Sequence, residues 1–189
     1  MRKNFGAKPW TLPQPVYIIG TYDENGVPNA MNAAWGGISG NSEISFCLGI
    51  SHRTVKNLKA NGDFTVSMAT EAYRVECDYV GLVSGNDTED KIKKAGFTCE
   101  KAEHVNAPII CELPMTLECR MISYDDETQI LRGEIINVSA DESILNHEGK
   151  IDVDRLHPLI FDVVSLSYRT LGDKVGKAFR DGKALIKQE

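Results

Sequence analysis

The sequence lacks the short motifs that mark the commonest nucleotide, hydrolase and metalloenzyme sites. No GxGxxG follows a first strand and no GxxxxGK[ST] is present, which excludes the standard dinucleotide and nucleoside-triphosphate loops. No GxSxG elbow and no HExxH motif occurs either. Hydrolase and metalloenzyme chemistry therefore has little support in this sequence.

Long apolar runs and an excess of positive charge are also missing. The formal net charge is −6 at pH 7, which argues against nucleic acid as the main partner. No apolar run approaches the length of a membrane span, and residues 1–6 carry no apolar core of a signal peptide. These absences predict a cytoplasmic protein with neither a nucleic-acid nor a membrane partner.

The cysteines and histidines are too scattered for a zinc site or a disulfide framework. The chain has five cysteines and four histidines, and no two cysteines form a CxxC. Thiols in a reducing cytoplasm are the simplest interpretation, and we predict no metal site. Cys47 and Cys119 fall in predicted strands and are expected to be small buried residues, whereas Cys77 or Cys99 could be a redox thiol.

The pattern of strands predicts a small antiparallel barrel. With 189 residues the chain can bury a real core, and we predict one domain over residues 1–189. Strands are predicted at 16–21, 27–34, 44–50 and 64–68, with a glycine-rich loop at 35–42. Residues 115–122 alternate as a half-buried strand that places Glu118 on its outer side. The connections are too short for a wound parallel sheet, which favours antiparallel pairing.

Three segments have helical character, and the tail differs from the rest of the chain. Residues 54–61 form a predicted helix that Gly62 ends. Residues 73–83 form another, with an apolar face made of Val75, Tyr79, Val80 and Val83. A short helix through residues 91–95 is expected to be capped by Asp87 or Thr88. The tail at 167–183 is basic and rich in glycine. It is either a solvated face or a surface for an acidic substrate, and if ordered it needs a support such as a second subunit.

The junction of the strand at 44–50 and the helix at 54–61 is a candidate phosphate site. Ser51, Arg53, Thr54 and Lys56 follow the apolar strand where the helix begins. Unpaired amides and the helix dipole favour an anion at such a point, and arginine and hydroxyl groups add donors. The alternative is an ordinary exposed helix start that carries basic residues.

The segment 32–37 is a candidate ring-binding surface. Its alanines and glycines allow a backbone to approach a flat ring, Asn32 offers an amide, and Trp35 offers an aromatic wall. The alternative is a turn of small residues with Trp35 as a core anchor. Together with a phosphate site one strand away, the segment suits a mononucleotide with a planar head.

These residues resemble the flavin reductase-like, FMN-binding split-barrel family, and most closely its flavoredoxin-type branch. The matching segments span nearly the full length, and their order and spacing are more specific than any one of them. They are Asn32-Ala33-Ala34-Trp35, the strand 44–50 with Arg53-Thr54-x-x-Asn57, residues 62–67, Asp90-Lys91-x4-Gly96-Phe97-Thr98, residues 107–110, residues 117–119, and Tyr168-x2-Leu171-Gly172.

The resemblance implies a mainly β fold with short helices: a six-stranded antiparallel split β-barrel that pairs as a homodimer, with FMN near the interface. The resemblance also implies the cofactor-binding residues. Asn32, Ala33, Ala34 and Trp35 would line the isoalloxazine and ribityl region, and Ile50 and Ser51 would contact the flavin or phosphate edge. Arg53 and Thr54 would bind the phosphate with Lys56 and Asn57 nearby, and Tyr168 and Arg169 would cover the cofactor from the same chain or across the dimer.

One departure from the family pattern bears on the electron donor. Many flavin reductases have Asp-Pro-Pro before the third strand, where this chain has Asn41-Ser42-Glu43. The difference loosens the analogy to the reductases of two-component monooxygenases and to their handling of pyridine nucleotides.

The sequence therefore predicts an FMN-dependent oxidoreductase that acts in electron transfer or flavin reduction, with NAD(P)H or a redox partner protein as its counterpart. Because a flavin supplies its own redox chemistry, the lack of an acid–base pair is expected. Two alternatives remain: a non-enzymatic split barrel that binds another phosphorylated ligand, and a flavin-dependent oxidase that delivers hydride to a small molecule.

Overall fold

β-Strands make up most of the regular structure. A computed structural model describes residues 1–186 of the chain. The strands are β1 (Gln14–Pro15), β2 (Tyr17–Tyr22), β3 (Pro28–Ala33), β4 (Gly36–Gly40), β5 (Glu43–Cys47), β6 (Asp63–Met68), β7 (Cys99–Lys101), β8 (Pro108–Ile110), β9 (Met115–Asp125), β10 (Ile130–Ala140), β11 (Leu159–Asp162) and β12 (Ser167–Thr170). The helices are α1 (Arg53–Asn61), α2 (Arg74–Leu82), α3 (Lys91–Lys94) and α4 (Val153–Leu156), with 3-10 turns at Glu142–Ile144 and Asp181–Leu185.

The main sheet is antiparallel and curls into a half-barrel. Its seven strands follow the order β3-β2-β6-β9-β10-β5-β4, and neighbouring strands pair antiparallel. The predicted split-barrel class is confirmed, with seven strands in this sheet where six were expected. Three short strands, β1, β11 and β12, form a second sheet, and β7 pairs with β8.

Both faces of the sheet are covered, so the fold has two cores. Ile19 lies inside the barrel with Phe46, Phe64 and other apolar residues, and Val55 and Leu58 of α1 fill the same space. Its neighbour Ile18 points the other way, into a core formed with α2 and α3. Adjacent residues of one strand face opposite sides, which explains why residues 17–21 of β2 are all buried.

Local signals fix the two elements that carry the candidate site. The β2–β3 hairpin turns at Asn25 and Gly26, where Gly26 adopts a φ of 78°. Helix α1 ends at Gly62, whose φ is 79° and whose amide donates to the carbonyl of Leu58 at 2.8 Å. Since Val55 and Leu58 anchor α1 in the barrel, its first turn is held beside β3.

The structure corrects several sequence expectations. The segment 35–42 contains strand β4 rather than only a loop. Val75 is 65% exposed and does not belong to the buried face of α2, which contains Cys77 as well as the predicted Val80. Helix α3 begins after Asp90, which makes no side-chain cap, so neither Asp87 nor Thr88 caps it. Cys47 is exposed at the end of β5.

The tail continues past β12 with little burial. Residues 171–186 are exposed, including Val175, Phe179 and Leu185. The predicted tail segment 167–183 therefore begins as a paired strand and ends as an exposed arm. Over residues 1–186, the structure has no helix long and apolar enough to cross a membrane.

Candidate functional site

The start of α1 presents unpaired backbone amides. The first bonds of the helix run from Val55 and Lys56 to the carbonyl of His52, at 3.0 and 3.2 Å, and the side chain of His52 makes no cap. Among residues 1–186, no acceptor meets the amides of Arg53 and Thr54. These donors and the helix dipole make this point favourable for a negative group.

A cavity of about 240 Å³ opens at this helix start, and we call it the helix-start cavity. A larger adjoining cavity of about 590 Å³ shares part of its wall. The residues common to both are Asn29, Arg53, Gly85 and Lys91. The helix-start cavity also contains Asn32 and Thr54, so three predicted site residues line one space.

Arg53 is held at the cavity by an ion pair. Its Nη2 lies 2.8 Å from Oδ2 of Asp23, in the β2–β3 turn. Partial burial acts to raise the pKa of Asp23, but hydrogen bonds from the amides of Val27 and Asn25 and from Arg53 outweigh it and lower that pKa. A guanidinium has five N–H donors, so Arg53 can hold Asp23 and still donate to a ligand.

Lys91 is a cavity residue to which the sequence analysis gave no role. It is only 5% exposed and lines both cavities, and its side-chain amine makes no ion pair or hydrogen bond with the residues that the structure describes. Burial lowers the pKa of its amine to about 8. A buried amine without a partner is costly unless an anion joins it. The signal in the sequence is weak, because Lys91 lies in a segment that resembles the family but also in a basic run typical of an exposed helix.

Two buried hydrogen bonds fix α1 against the β2–β3 hairpin. Asn29 donates from Nδ2 to the Thr54 hydroxyl at 3.0 Å, and Asn57 donates from Nδ2 to the Thr21 hydroxyl at 3.1 Å. Asn29 is 7% exposed and its Oδ1 has no partner among the described residues. Asn57 lines the adjoining cavity. Both residues therefore position the helix start as well as line a cavity.

Asn32 and Tyr168 meet at α2. Asn32 donates from Nδ2 to the carbonyl of Cys77 at 3.1 Å. The hydroxyl of Tyr168 donates to Oδ1 of Asp78 at 2.7 Å. Burial, and then this bond to Asp78, raises the pKa of Tyr168, while Asn32 acts in the opposite direction. The structure thus brings Tyr168 of β12 beside Asn32 of β3 within one chain.

A third cavity, of about 480 Å³, lies at the β3–β4 connection, and we call it the tryptophan cavity. Ala34, Trp35 and Gly36 form one wall, and Trp10 and Gln14 belong to the N-terminal side. Trp35 is 52% exposed, so it is not a core anchor. The position of Ala34 lies five residues beyond Asn29, a rise of about 16 Å along an extended strand. The helix-start cavity and the tryptophan cavity therefore follow one another along β3.

β3 is an edge strand. It ends the order of the main sheet and pairs with β2 alone among residues 1–186. Its outer backbone edge therefore offers N–H and C=O groups that no strand of the described chain uses. Such an edge suits a ligand that is bound mainly by backbone groups.

The other predicted residues lie near the site without lining these cavities with their side chains. Ala33 packs in the barrel core, Ile50 and Ser51 are exposed before α1, and Lys56 is exposed on α1. The carbonyl of Ser51 accepts from Asn86 at 3.1 Å. Arg169 donates from Nε to Oδ2 of Asp162 at 3.0 Å, which ties it to β11.

Cys77, Cys99 and Cys119 are not reactive thiols, and the described chain holds no cluster of metal ligands. Burial raises the pKa values of Cys77, Cys99 and Cys119 to about 12, so these thiols stay protonated. Within residues 1–186, no group of three or more His, Cys, Asp or Glu side chains could hold a metal ion.

Unpaired amides, Arg53 and a buried amine fit a phosphate at one end of β3. Exposed indoles and small residues fit a flat ring at the other end. The arrangement is therefore that of a half-barrel protein with candidate ligand cavities at the two ends of its edge strand.

The chain belongs to the flavin reductase like domain family, whose model matches residues 10–162. It is 38% identical to the flavoredoxin of Desulfovibrio vulgaris (Miyazaki F), with 97% of this chain and 100% of that chain covered and a TM-score of 0.92. It is 29% identical to a flavoredoxin from Methanosarcina acetivorans, with 98% and 100% covered and a TM-score of 0.87. An FMN-binding domain of a flavin reductases-like enzyme from Shewanella baltica OS155 shares the fold at 19% identity, with 87% and 89% covered and a TM-score of 0.76.

Proposed function

We propose that this chain is an FMN-binding flavoprotein that acts in electron transfer or flavin reduction. The observation that carries the proposal is the pair of unpaired amides at Arg53 and Thr54, which open into the same cavity as the partnerless amine of Lys91. A phosphate would satisfy all three donors at once. Membership of the flavin reductase-like family and the similarity to two flavoredoxins support a flavin as the carrier of that phosphate.

In this proposal the helix-start cavity binds the phosphate of the ligand and the tryptophan cavity binds its ring. Arg53, Thr54 and Lys91 would hold the phosphate, with Asn29 and Asn57 fixing the helix start. The outer edge of β3 would bind the ribityl chain, and Ala34 and Trp35 would receive the ring. Ile50, Ser51 and Lys56 would border the phosphate end, and Ala33 would contribute through its backbone.

The chain's own residues would orient the cofactor and set the charge around it. FMN, when bound, supplies the redox chemistry, so the protein needs no acid–base pair of its own. Arg53 and Lys91 would place positive charge at the phosphate end. Tyr168, tied to Asp78, and Arg169, tied to Asp162, would limit access of water from the side of β12.

The electron donor is either NAD(P)H or a redox partner protein. Anaerobic stopped-flow mixing with NADH or NADPH separates the two forms of the proposal. Direct and rapid bleaching of the bound flavin would indicate a flavin reductase. Bleaching only after a reducing partner protein is added would indicate electron transfer, the form that the similarity to flavoredoxins favours.

We also propose that the protein acts as a cytoplasmic homodimer, with all 189 residues forming one flavin-binding domain. The exposed arm at 171–186 carries apolar side chains, among them Val175 and Phe179, that pack on nothing in the described chain. A second subunit would cover them. Sedimentation of the flavin-loaded protein as a monomer would contradict the dimer.

The absorbance spectrum of the purified protein is the direct test of the proposed function. A flavin spectrum, and release of FMN on denaturation, are expected. A colourless protein that takes up no added FMN, riboflavin or FAD would instead support the non-enzymatic split barrel with another phosphorylated ligand. A flavin that is reduced only by one small substrate and reoxidised by oxygen would support the oxidase.

A further inference from the structure

The tryptophan cavity contains a buried side-chain amide without a partner. Gln14 is 7% exposed, lines the cavity, and its Oε1 has no hydrogen-bond partner among residues 1–186. A buried carbonyl that makes no hydrogen bond is unfavourable, and most such groups in folded proteins are paired. The structure thus holds an unused acceptor at the wall of the cavity.

The surroundings of Gln14 are those of a slot for a flat ring. The small side chains of Ala34 and Gly36 let a ring approach the backbone, while Trp35 and Trp10 add exposed indole surface. Aromatic walls and small residues favour a planar ligand, and a few polar groups then set its orientation. Within this slot Gln14 is a polar group fixed by burial and by the backbone, because it pairs with Phe161 in the second sheet.

The position of the cavity relates it to the proposed phosphate site. Gln14 lies at the far end of β3 from Arg53 and Lys91, beside the residues that would receive the ring. A ligand anchored at the helix start and laid along β3 would bring its ring to this cavity. One edge of an isoalloxazine ring is an imide, in which the N3–H donor lies between two carbonyl acceptors.

We propose that the side-chain amide of Gln14 recognises the imide edge of the flavin ring, and this inference rests on the proposed function. A glutamine amide has one carbonyl acceptor and two N–H donors. It can therefore accept from N3–H while it donates to a neighbouring ring carbonyl, once the terminal amide turns toward the cavity. Gln14 is in this view a specificity-determining residue that selects an imide-bearing ring.

The test compares two flavins whose phosphates are identical. FMN and FMN methylated at N3 are titrated into the flavin-free protein, and the dissociation constants are measured by flavin fluorescence. The wild type is expected to bind FMN at least about fivefold more tightly than its N3-methyl form, because the methyl group removes the donor that Gln14 accepts. Gln14→Leu should bind FMN more weakly and lose most of the preference. Thr11→Val, which changes another residue of the same cavity, should keep it.

Each outcome decides the inference. Equal binding of the two flavins by the wild type would overturn it, and so would an unchanged preference in Gln14→Leu. If Gln14→Leu does not fold, Gln14→Glu serves instead: its carboxylate still accepts from N3–H, so loss of the preference there would also overturn the inference. A wild type that binds neither flavin contradicts the proposed function itself, which is a different result from equal binding of both.

Discussion

Arg53, which lines both the helix-start cavity and the adjoining cavity, forms an ion pair 2.8 Å long with Asp23, which lines the adjoining cavity. The pair links the first residue of α1 to the β2–β3 turn. It also places a carboxylate close to the point where we propose that a phosphate binds. The two residues should therefore influence ligand affinity in opposite directions.

Replacement of Arg53 should weaken flavin retention. A charge-assisted hydrogen bond is worth about 1.5–3 kcal/mol, so Arg53→Ala should raise the Kd for FMN roughly tenfold to a hundredfold. Fluorescence titration measures the change. Arg120→Ala is the matched control. Arg120 also forms an ion pair, with its Nε 3.3 Å from Oδ1 of Asp63, but it lines neither the helix-start cavity nor the adjoining cavity. An unchanged Kd in Arg53→Ala would mean that the anchor lies elsewhere.

Replacement of Asp23 should have the opposite effect. Asp23→Asn removes a negative charge near the proposed dianion but keeps an acceptor for the amides of Asn25 and Val27. We expect the Kd for FMN to fall several-fold, and the gain to shrink as salt screens the repulsion. The same titration at low and high ionic strength measures both effects. Weaker binding in Asp23→Asn would show that Asp23 serves to position Arg53 rather than to compete with the phosphate.

Lys91 should make flavin affinity depend on pH. Burial lowers its pKa to about 8, so the amine is charged below that pH and loses its charge as the pH rises through it. The phosphate of FMN is already dianionic above pH 7. Affinity should therefore decrease between pH 7 and 9 in the wild type, and change little in Lys91→Met. Lys93→Met, on the exposed side of α3, should retain the wild-type profile.

The stability of the flavin-free protein supplies an independent check on Lys91. Because its folded pKa lies below the usual value of 10.5, the unfolded chain binds more protons between about pH 8 and 10.5. The contribution of Lys91 to the free energy of unfolding should therefore rise with pH across this window. Equal pH dependence in wild type and Lys91→Met would contradict the buried position of the amine.

The parts of the fold that follow from local signals could be predicted from the sequence. The Asn25-Gly26 turn and the stop at Gly62 are properties of short segments, and the structure has both. β4 was missed because three of its five residues are glycine, which is typical of a loop. At Gly36 the glycine has a packing cause, because a Cβ there would overlap Cδ1 of Phe46. Only the tertiary neighbour makes that requirement visible.

The candidate site was predicted in part for the same reason. Arg53 and Thr54 stand beside a recognisable helix start, so their shared location follows from the sequence. The burial of Lys91 depends on the packing of α3 against β3, and the partner of Arg53 depends on the β2–β3 turn. Neither contact lies within one segment, so no local pattern indicates it.

The alternating pattern of residues 115–122 does not indicate that Glu118 is buried. This burial predicts that replacement of Glu118 lowers the free energy of unfolding. Alternation placed it on an outer face, but it is 1% exposed and accepts from the amide of His104 at 2.7 Å and from Asn137 at 2.9 Å. Removal of this acceptor leaves buried donors unpaired. Glu118→Ala should lower the free energy of unfolding by about 2–4 kcal/mol. Urea denaturation measures it, and exposed Glu100→Ala should change it little.

Acid should weaken the same contact. Burial acts to raise the pKa of Glu118, but hydrogen bonds from Asn137 and His104 outweigh it and lower the pKa below 4.5. The contribution of Glu118 is therefore complete above pH 4.5 and is lost as the pH falls through the folded pKa. The difference in unfolding free energy between wild type and Glu118→Ala should shrink in acid. A difference that grows in acid would contradict the assignment.

Gly81 tests whether the close approach of α2 to β3 matters for the site. A Cβ at this position would lie 2.8 Å from Cβ of Asn32, which is closer than packed side chains allow. Gly81→Ala should therefore push α2 away from β3, stretch the bond from Asn32 to Cys77, and cost about 1–3 kcal/mol of stability by overpacking. Because both residues line the helix-start cavity, FMN binding should weaken too. Gly37→Ala, where a Cβ meets nothing within 4 Å, is the matched control. If Gly81→Ala were as stable as Gly37→Ala and bound FMN equally well, the α2–β3 contact would have no part in shaping the cavity.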